Sequence, residues 1–268
     1  PRDRQWDGPD CATDPERKAF AQQLIQAARI KGLQALAITD HHDLTLFRYV
    51  REAARTEPGA SPDQRIVVFP GLELTLGIPC QALLVFDAEL PDESLPALLT
   101  ALSLTPAADA EAKAAQVEKL THFMSFEALY DRLNESAHFR GHFIVFPHVK
   151  DGGHQTLLRQ GFEGHYKNMP CVGGYTDGVA KLGQGNRRIL CGEDVNYGNK
   201  KVAVIQTSDS RSISFEALGT APTWIKWSEP TAEALRQACL SDKSRISLAE
   251  PVFPKARILS ISVSDSAF

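Results

Sequence analysis

Four short apolar runs in this chain each lead to a side chain that can bind a metal. Ala35 to Thr39 runs into Asp40, His41 and His42, and Arg65 to Phe69 leads through Pro70 and Gly71 to Glu73. Phe143 to Phe146 ends at Pro147 and His148, and Lys201 to Gln206 leads to Ser208, Asp209, Ser210 and Arg211. Parallel β/α barrels carry their sites at the C-terminal ends of strands, where groups remote in sequence converge. His, Glu and Asp delivered in this way form a mixed N/O donor set suited to Zn, Mn or Fe. One such strand end carries little weight. A lone His is usually a packed or loop residue, a Glu after Pro-Gly is often solvated, and Asp209 between serines can cap a turn. Four in the same topological place point to a metal-dependent hydrolase.

The intervening sequence supplies helices. Asp14-Pro15-Glu16 offers a capping carboxylate, a proline at the first helical position and an acid in the first turn. Phe20, Leu24, Ile25 and Ala28 then recur at helical spacing, and Gly32 marks a stop. Further helices are expected over Leu44–Arg55 and, with Thr231 as cap, over Ala232–Leu240. Ile66–Phe69, Ala82–Phe86 and Val202–Ile205 read as strands, and the loop at Pro58–Pro62 separates two of these elements. Residues 88–140 read as a helical insertion, a connection or lid, with helices over Leu95–Leu102, Ala110–Leu120 and Phe126–Leu133 and a break at Pro106. Residues 151–200, rich in Gly, Asn and Lys, are expected to form loops and short elements around the site. Strands alternating with helices predict a mostly parallel α/β fold.

Composition excludes several classes. At 268 residues with 43% hydrophobic and 23% charged residues, the chain has the makeup of a globular protein. A net charge of −4 supplies no global basic field, although a local phosphate-binding patch is compatible with it. Five widely spaced cysteines with no CxxC pair argue against a disulfide framework or a zinc ribbon, and a reducing cytoplasm is expected. No apolar run approaches the ~20 residues that cross a bilayer, so no membrane partner is expected. The start at Pro1 and the alternating Ile258, Leu259, Ile261 and Val263 lead us to expect a piece of a longer protein.

The run Ala37 to His42, then Pro70-Gly71-Leu72-Glu73, Phe146-Pro147-His148 and Ser208-Asp209 resembles, in content and order, the PHP (polymerase and histidinol phosphatase) domain. The resemblance covers roughly residues 1–245. It implies a distorted (β/α)7-type barrel bearing one to three divalent ions (Mn, Zn or Mg) and phosphoesterase activity. Carried over by position, His41, Glu73, His148 and Asp209 are the expected metal ligands, with Asp40 orienting His41. If two ions bind, Glu73 is the expected bridge. Three departures stand out. The family's opening His-x-His is absent, and Pro1 to Gly8 resembles the family segment just C-terminal to that pair, which leaves Asp3 or Asp7 as an additional ligand. A His expected on the strand after Glu73 is replaced at Cys80-Gln81. The usual Ser-Asp-Ala-His becomes Ser208-Asp209-Ser210-Arg211, and Arg cannot ligate a cation but can clamp a phosphate.

Leu218-Gly219, Thr223 to Lys226 and Glu233 to Arg245 resemble the PHP group fused to an SMC-like, AAA-like ATPase in DNA-repair-type and phage-defence proteins. On that resemblance residues 1–250 form the PHP domain, and 251–268 form a linker and the start of a truncated ATPase head. No GxxxxGK[ST] is present. The expected function is a nuclease acting on DNA or RNA with an SMC-like ATPase in antiviral defence. The expected partners are nucleic acid, the linked ATPase and further copies of the chain. Asp40, Glu73 and Arg211 are the expected catalytic groups, and Arg211 and Lys226 the expected substrate contacts, with Lys150 a further phosphate candidate. His42 and His154 could face the site, whereas Trp224 and Trp227 read as packing residues. Two alternatives remain open: a phosphomonoesterase for a small phosphate or nucleotide, and a catalytically silent regulatory module.

Overall fold

The computed structural model describes residues 6–9, 11–104, 119–153 and 155–252. Asp3, His154, all but the last two residues of the helix expected over 110–120, and the terminal strand expected over 258–268 lie outside the described residues. Helix α1 (Asp14–Ile30) starts one residue earlier than its capping pattern suggests. Thr13 is the cap, and the Glu16 carboxylate accepts from its N–H and its hydroxyl, both at 2.8 Å. Asp14 instead accepts from the Tyr49 hydroxyl on α2 (Phe47–Arg55) and so ties the two helices together.

Between and after these helices run β1 (Ala35–Ile38), β2 (Val67–Thr75) and β3 (Gln81–Phe86). Strands β4 (Phe143–Pro147), β5 (Gly173–Asp177) and β6 (Ala203–Thr207) come next in the chain. Pairing runs β1-β2-β3-β4, and β5 pairs with β6. A bridge between His148 and Tyr175 joins the two groups. Strands β1 and β2 are parallel, as are β5 and β6. Strand β3 is antiparallel to both of its neighbours, one reversed strand among others that run in a common direction, so the arrangement is mostly parallel as expected. The short link Leu76–Cys80 explains the reversal of β3: a parallel return needs a crossover of a dozen or more residues.

Residues 151–200, expected to be mainly loops, contain α5 (Glu163–Asn168), β5 and α6 (Gln184–Leu190). In the region 88–140, α3 (Leu95–Ala101) and α4 (Phe126–Asn134) lie close to the helices expected. Their Leu98, Phe126, Leu129 and Leu133 join the largest core, against Leu72, Leu74, Leu84, Phe86 and Val145 of the sheet. A small pair, β7 (Trp224–Ile225) and β8 (Ile246–Ser247), flanks α7 (Ala232–Leu240) and α8 (Asp242–Arg245). Thr231 caps α7 as expected, its hydroxyl accepting from the Ala234 N–H at 3.1 Å.

Side chains on a strand point alternately to the two faces, and here the alternation decides which of them reach the site. Leu72 and Leu74 of β2, Leu84 and Phe86 of β3, and Val145 of β4 pack outward under the helices. The opposite row includes Val67, Phe69, Leu83, Val85, Phe146, Tyr175 and Ile205, and it lines a cavity of about 820 Å³. The sheet curves strongly around this cavity. β2 and β5 are separated by two strands, about 14 Å in a flat sheet. Yet the Tyr175 hydroxyl on β5 donates to Glu73 Oε1 on β2 at 2.9 Å. None of the described helices is long and apolar enough to cross a membrane.

Candidate metal centre

The inward row of each strand, followed along it or just past its end, delivers the site. On β2, Val67, Phe69 and Gly71 are succeeded at the same spacing by Glu73. On β4, Ile144 and Phe146 are succeeded by His148, and past β6 Ile205 and Thr207 are succeeded by Asp209. Past β1, Ala37 and Thr39 lead to His41, which bridges Glu73 in parallel register. Period two therefore brings His41, Glu73 and Asp209 to the cavity, and His148 adjoins it through Asp177.

His41 Nε2 lies 2.7 Å from Glu73 Oε2, with the two side chains only 14% and 13% exposed. Gln81 Nε2 is 3.4 Å from the same imidazole nitrogen. His148 is buried at 1% exposure, and its Nε2 lies 3.1 Å from Asp177 Oδ2. Gly153 lets the loop after β4 lie directly on the His148 ring, since a Cβ there would stand 2.7 Å from Cε1. Asp209 accepts from Arg211 Nε at 2.8 Å, and Asp40, Asp177 and Arg211 line the same cavity. Asp209 takes φ 45°, a left-handed conformation that Asp tolerates better than most residues.

Asp177 is absent from the expected ligand set because 151–200 read as loops. Gly173, Tyr175 and Asp177 nevertheless form one row of a strand, and the acid stands at its C-terminal end. Other expectations resolve differently. His42 is buried, and its Nε2 accepts from the Thr75 N–H at 2.9 Å, so it holds β2 rather than the cavity. Asp7 accepts from the Ile213 N–H at 3.1 Å and steadies the loop that carries Arg211. Lys226 is exposed beside β7, and its N–H donates to the Arg245 carbonyl away from the cavity wall. Trp227 packs on Phe69 with ring centroids 5.4 Å apart, the structural role expected.

The electrostatics fit a cation. Burial works against the charge of Glu73, but the hydrogen bond and charge of His41 and the Tyr175 hydroxyl outweigh it and hold the carboxyl below its usual range. Burial likewise opposes the charge of Asp177, and His148, Lys150 and Arg211 overcome it. Asp209 goes the other way: withdrawal from water and the charges of Asp177 and Glu73 raise it despite Arg211. Three carboxylates thus crowd one wall closely enough to repel, and a divalent ion would relieve that repulsion. Among the described residues no three donors stand at common ligand distance. Each carboxylate is instead held by an imidazole or guanidinium partner. The donor types, their shared cavity and their excess of negative charge suit a Zn or Mn centre.

Comparison with known proteins bears on the fold and the family. No curated protein sequence matches the chain. Among solved structures, an endonuclease Q complex with a 27-mer duplex substrate carrying an abasic lesion at the active site superposes with a TM-score of 0.54 at 11% identity, covering 85% of this chain and 52% of that one. The lesion-specific endonuclease PfuEndoQ from Pyrococcus furiosus gives a TM-score of 0.56 at 12% identity, covering 84% and 52%. The chain therefore spans about half the length of these structures, and the likeness is one of fold. The PHP domain profile matches residues 18–196, more than half of the sequence, and includes His41, Glu73 and His148. The chain belongs to the PHP domain family.

Proposed function

We propose that this protein is a metal-dependent phosphoesterase that hydrolyses phosphodiester bonds of DNA or RNA. What supports the reading is that His41, Glu73 and Asp209 line one cavity with Arg211 at its wall, and that His148 adjoins it through Asp177. These four residues would hold one to three divalent ions. Such an ion supplies Lewis-acid polarisation of a phosphoryl oxygen and lowers the pKa of a bound water toward neutrality.

The chain's own groups do the remaining work. Tyr175 fixes Glu73 through Oε1, and Asp40 is read as orienting His41 from the adjacent position. Arg211 engages Asp209 through Nε and sets its guanidinium at the cavity wall, where its positive charge can neutralise a phosphate. The curved sheet is read as a distorted (β/α)7-type barrel and residues 1–250 as one unit. The endonuclease Q complex, with DNA at its active site, supports a nucleic-acid substrate. Coupling to an SMC-like ATPase, self-association and a role in antiviral defence are parts of the proposal that rest on sequence resemblance.

Asp209→Ala and His148→Ala are expected to abolish manganese-dependent cleavage while the far-ultraviolet circular dichroism stays unchanged. Wild-type turnover in both variants rejects the reading. The cavity, about 820 Å³, also has the size of a small-ligand pocket and favours a second reading, phosphomonoester hydrolysis. Comparing rates on a chromogenic phosphate monoester with rates on single- and double-stranded DNA separates the two.

A further inference from the structure

Among the carboxylates that line the cavity is Asp177, which the four-ligand set leaves without a role. It stands next to Tyr175 in the inward row of β5, one strand over from His148, and lines the cavity with Asp209. Its Oδ2 faces His148 Nε2, the nitrogen a metal would use, at 3.1 Å.

We infer that Asp177 is a metal ligand, and that with His148 and Asp209 it forms a second half-site distinct from the one built on His41 and Glu73. The inference rests on the phosphoesterase reading for the presence of a divalent ion. It goes further by dividing the donors into two groups and so setting the number of ions at two.

The spacing supports the division. Two donors each about 2.1 Å from one ion are roughly 3.0 Å apart at a right angle and about 3.4 Å apart at a tetrahedral angle. The His148–Asp177 separation of 3.1 Å falls between these limits, so this pair can accept an ion with little movement. The His41–Glu73 pair, at 2.7 Å, must open slightly. Asp209 completes the His148 half-site by exchanging its contact with Arg211 for the ion. Arg211 then acts as a latch that keeps the third donor aside until the ion arrives. The two half-sites come from different strands: β1 and β2 lead to His41 and Glu73, while β4, β5 and β6 lead to the others. Tyr175 sits between them, its hydroxyl on Glu73 and its ring centroid 5.0 Å from that of His148.

The test is calorimetric titration of the purified chain with MnCl2, together with elemental analysis after dialysis. The wild type is expected to take up two Mn2+ per chain. Asp177→Asn, close to isosteric and able to keep a hydrogen bond to His148, is expected to bind the ion of the His148 half-site at least tenfold more weakly, so that one ion per chain remains after dialysis. Glu73→Gln is expected to lose the other ion. Substitution with Co2+ gives a second readout, since the visible absorption of the His148 half-site should change in Asp177→Asn and not in Glu73→Gln. Unaltered stoichiometry and Co2+ spectrum in Asp177→Asn would overturn the inference. If His148→Ala or Asp209→Ala still loses ions in that case, the four-ligand reading stands. A wild type that binds neither Mn2+ nor Co2+ at millimolar concentration removes both.

Discussion

Asp209 and His42 are both non-glycine residues at positive φ, but they do different things with that geometry. Asp209 uses it to place a carboxylate beside Arg211, whereas His42 turns inward to accept a backbone N–H. Residue type alone does not separate these cases; the direction of each side chain does. The five cysteines show the same point. Cys80, Cys171 and Cys239 are buried, and burial pushes the Cys80 and Cys239 thiols up to about 12 and Cys171 up as well. Cys191 is exposed and Cys11 half-buried. Because the thiolate is the reactive form, a disulfide reagent at pH 8 should modify Cys191 and Cys11 in the folded protein and leave the other three until denaturant is added. Rapid modification of all five without denaturant would show that the core is open.

At the scale of elements, the sequence exposed what depends on local period and hid what depends on connection length. The cap and repeat of α1, the Thr231 cap of α7 and the apolar runs of β1 to β4 come from spacing alone. The antiparallel sense of β3 comes from a short link that strand patterning does not weigh. β5 escaped because Gly173 and Gly174 dilute its apolar pattern, and with it went Asp177. Those glycines have a packing reason: a Cβ on Gly174 would lie 2.7 Å from Val149 and one on Gly173 2.7 Å from Phe146. Gly71 is a sharper case, since its added Cβ would meet the Leu84 carbonyl and the Thr39 methyl, both at 2.8 Å. The Leu84 carbonyl belongs to a paired strand and cannot swing aside. Gly71→Ala should therefore cost about 1–3 kcal/mol as an overpacked site. The expected signature is a lower denaturation midpoint in urea with an unchanged slope. Stability within a few tenths of a kcal/mol of wild type would show that β1 and β2 have more room than the structure gives them.

For the molecule as a whole, the same strands that bury the three cores also hold mutually repelling carboxylates at one end of the cavity. Folding without an ion must bring Glu73, Asp177 and Asp209 together against that repulsion, and an ion that binds only the folded arrangement shifts the equilibrium toward it. For one site occupied at 100 times its dissociation constant the gain is about 2.7 kcal/mol. In a protein of this size that corresponds to a rise in Tm of roughly 5–10 °C. MnCl2 should therefore raise the melting temperature measured by scanning calorimetry, and EDTA should reverse the rise. Mg2+ should raise it less, because a hard cation gains less from the His41 and His148 imidazoles than Mn2+ does. In His148→Ala the Mn2+ shift should shrink while the melting temperature in EDTA changes independently of metal. Equal shifts for Mg2+ and Mn2+, or a full Mn2+ shift in His148→Ala, would mean that the stabilising ion binds elsewhere, and the link between cavity charge and global stability would fail.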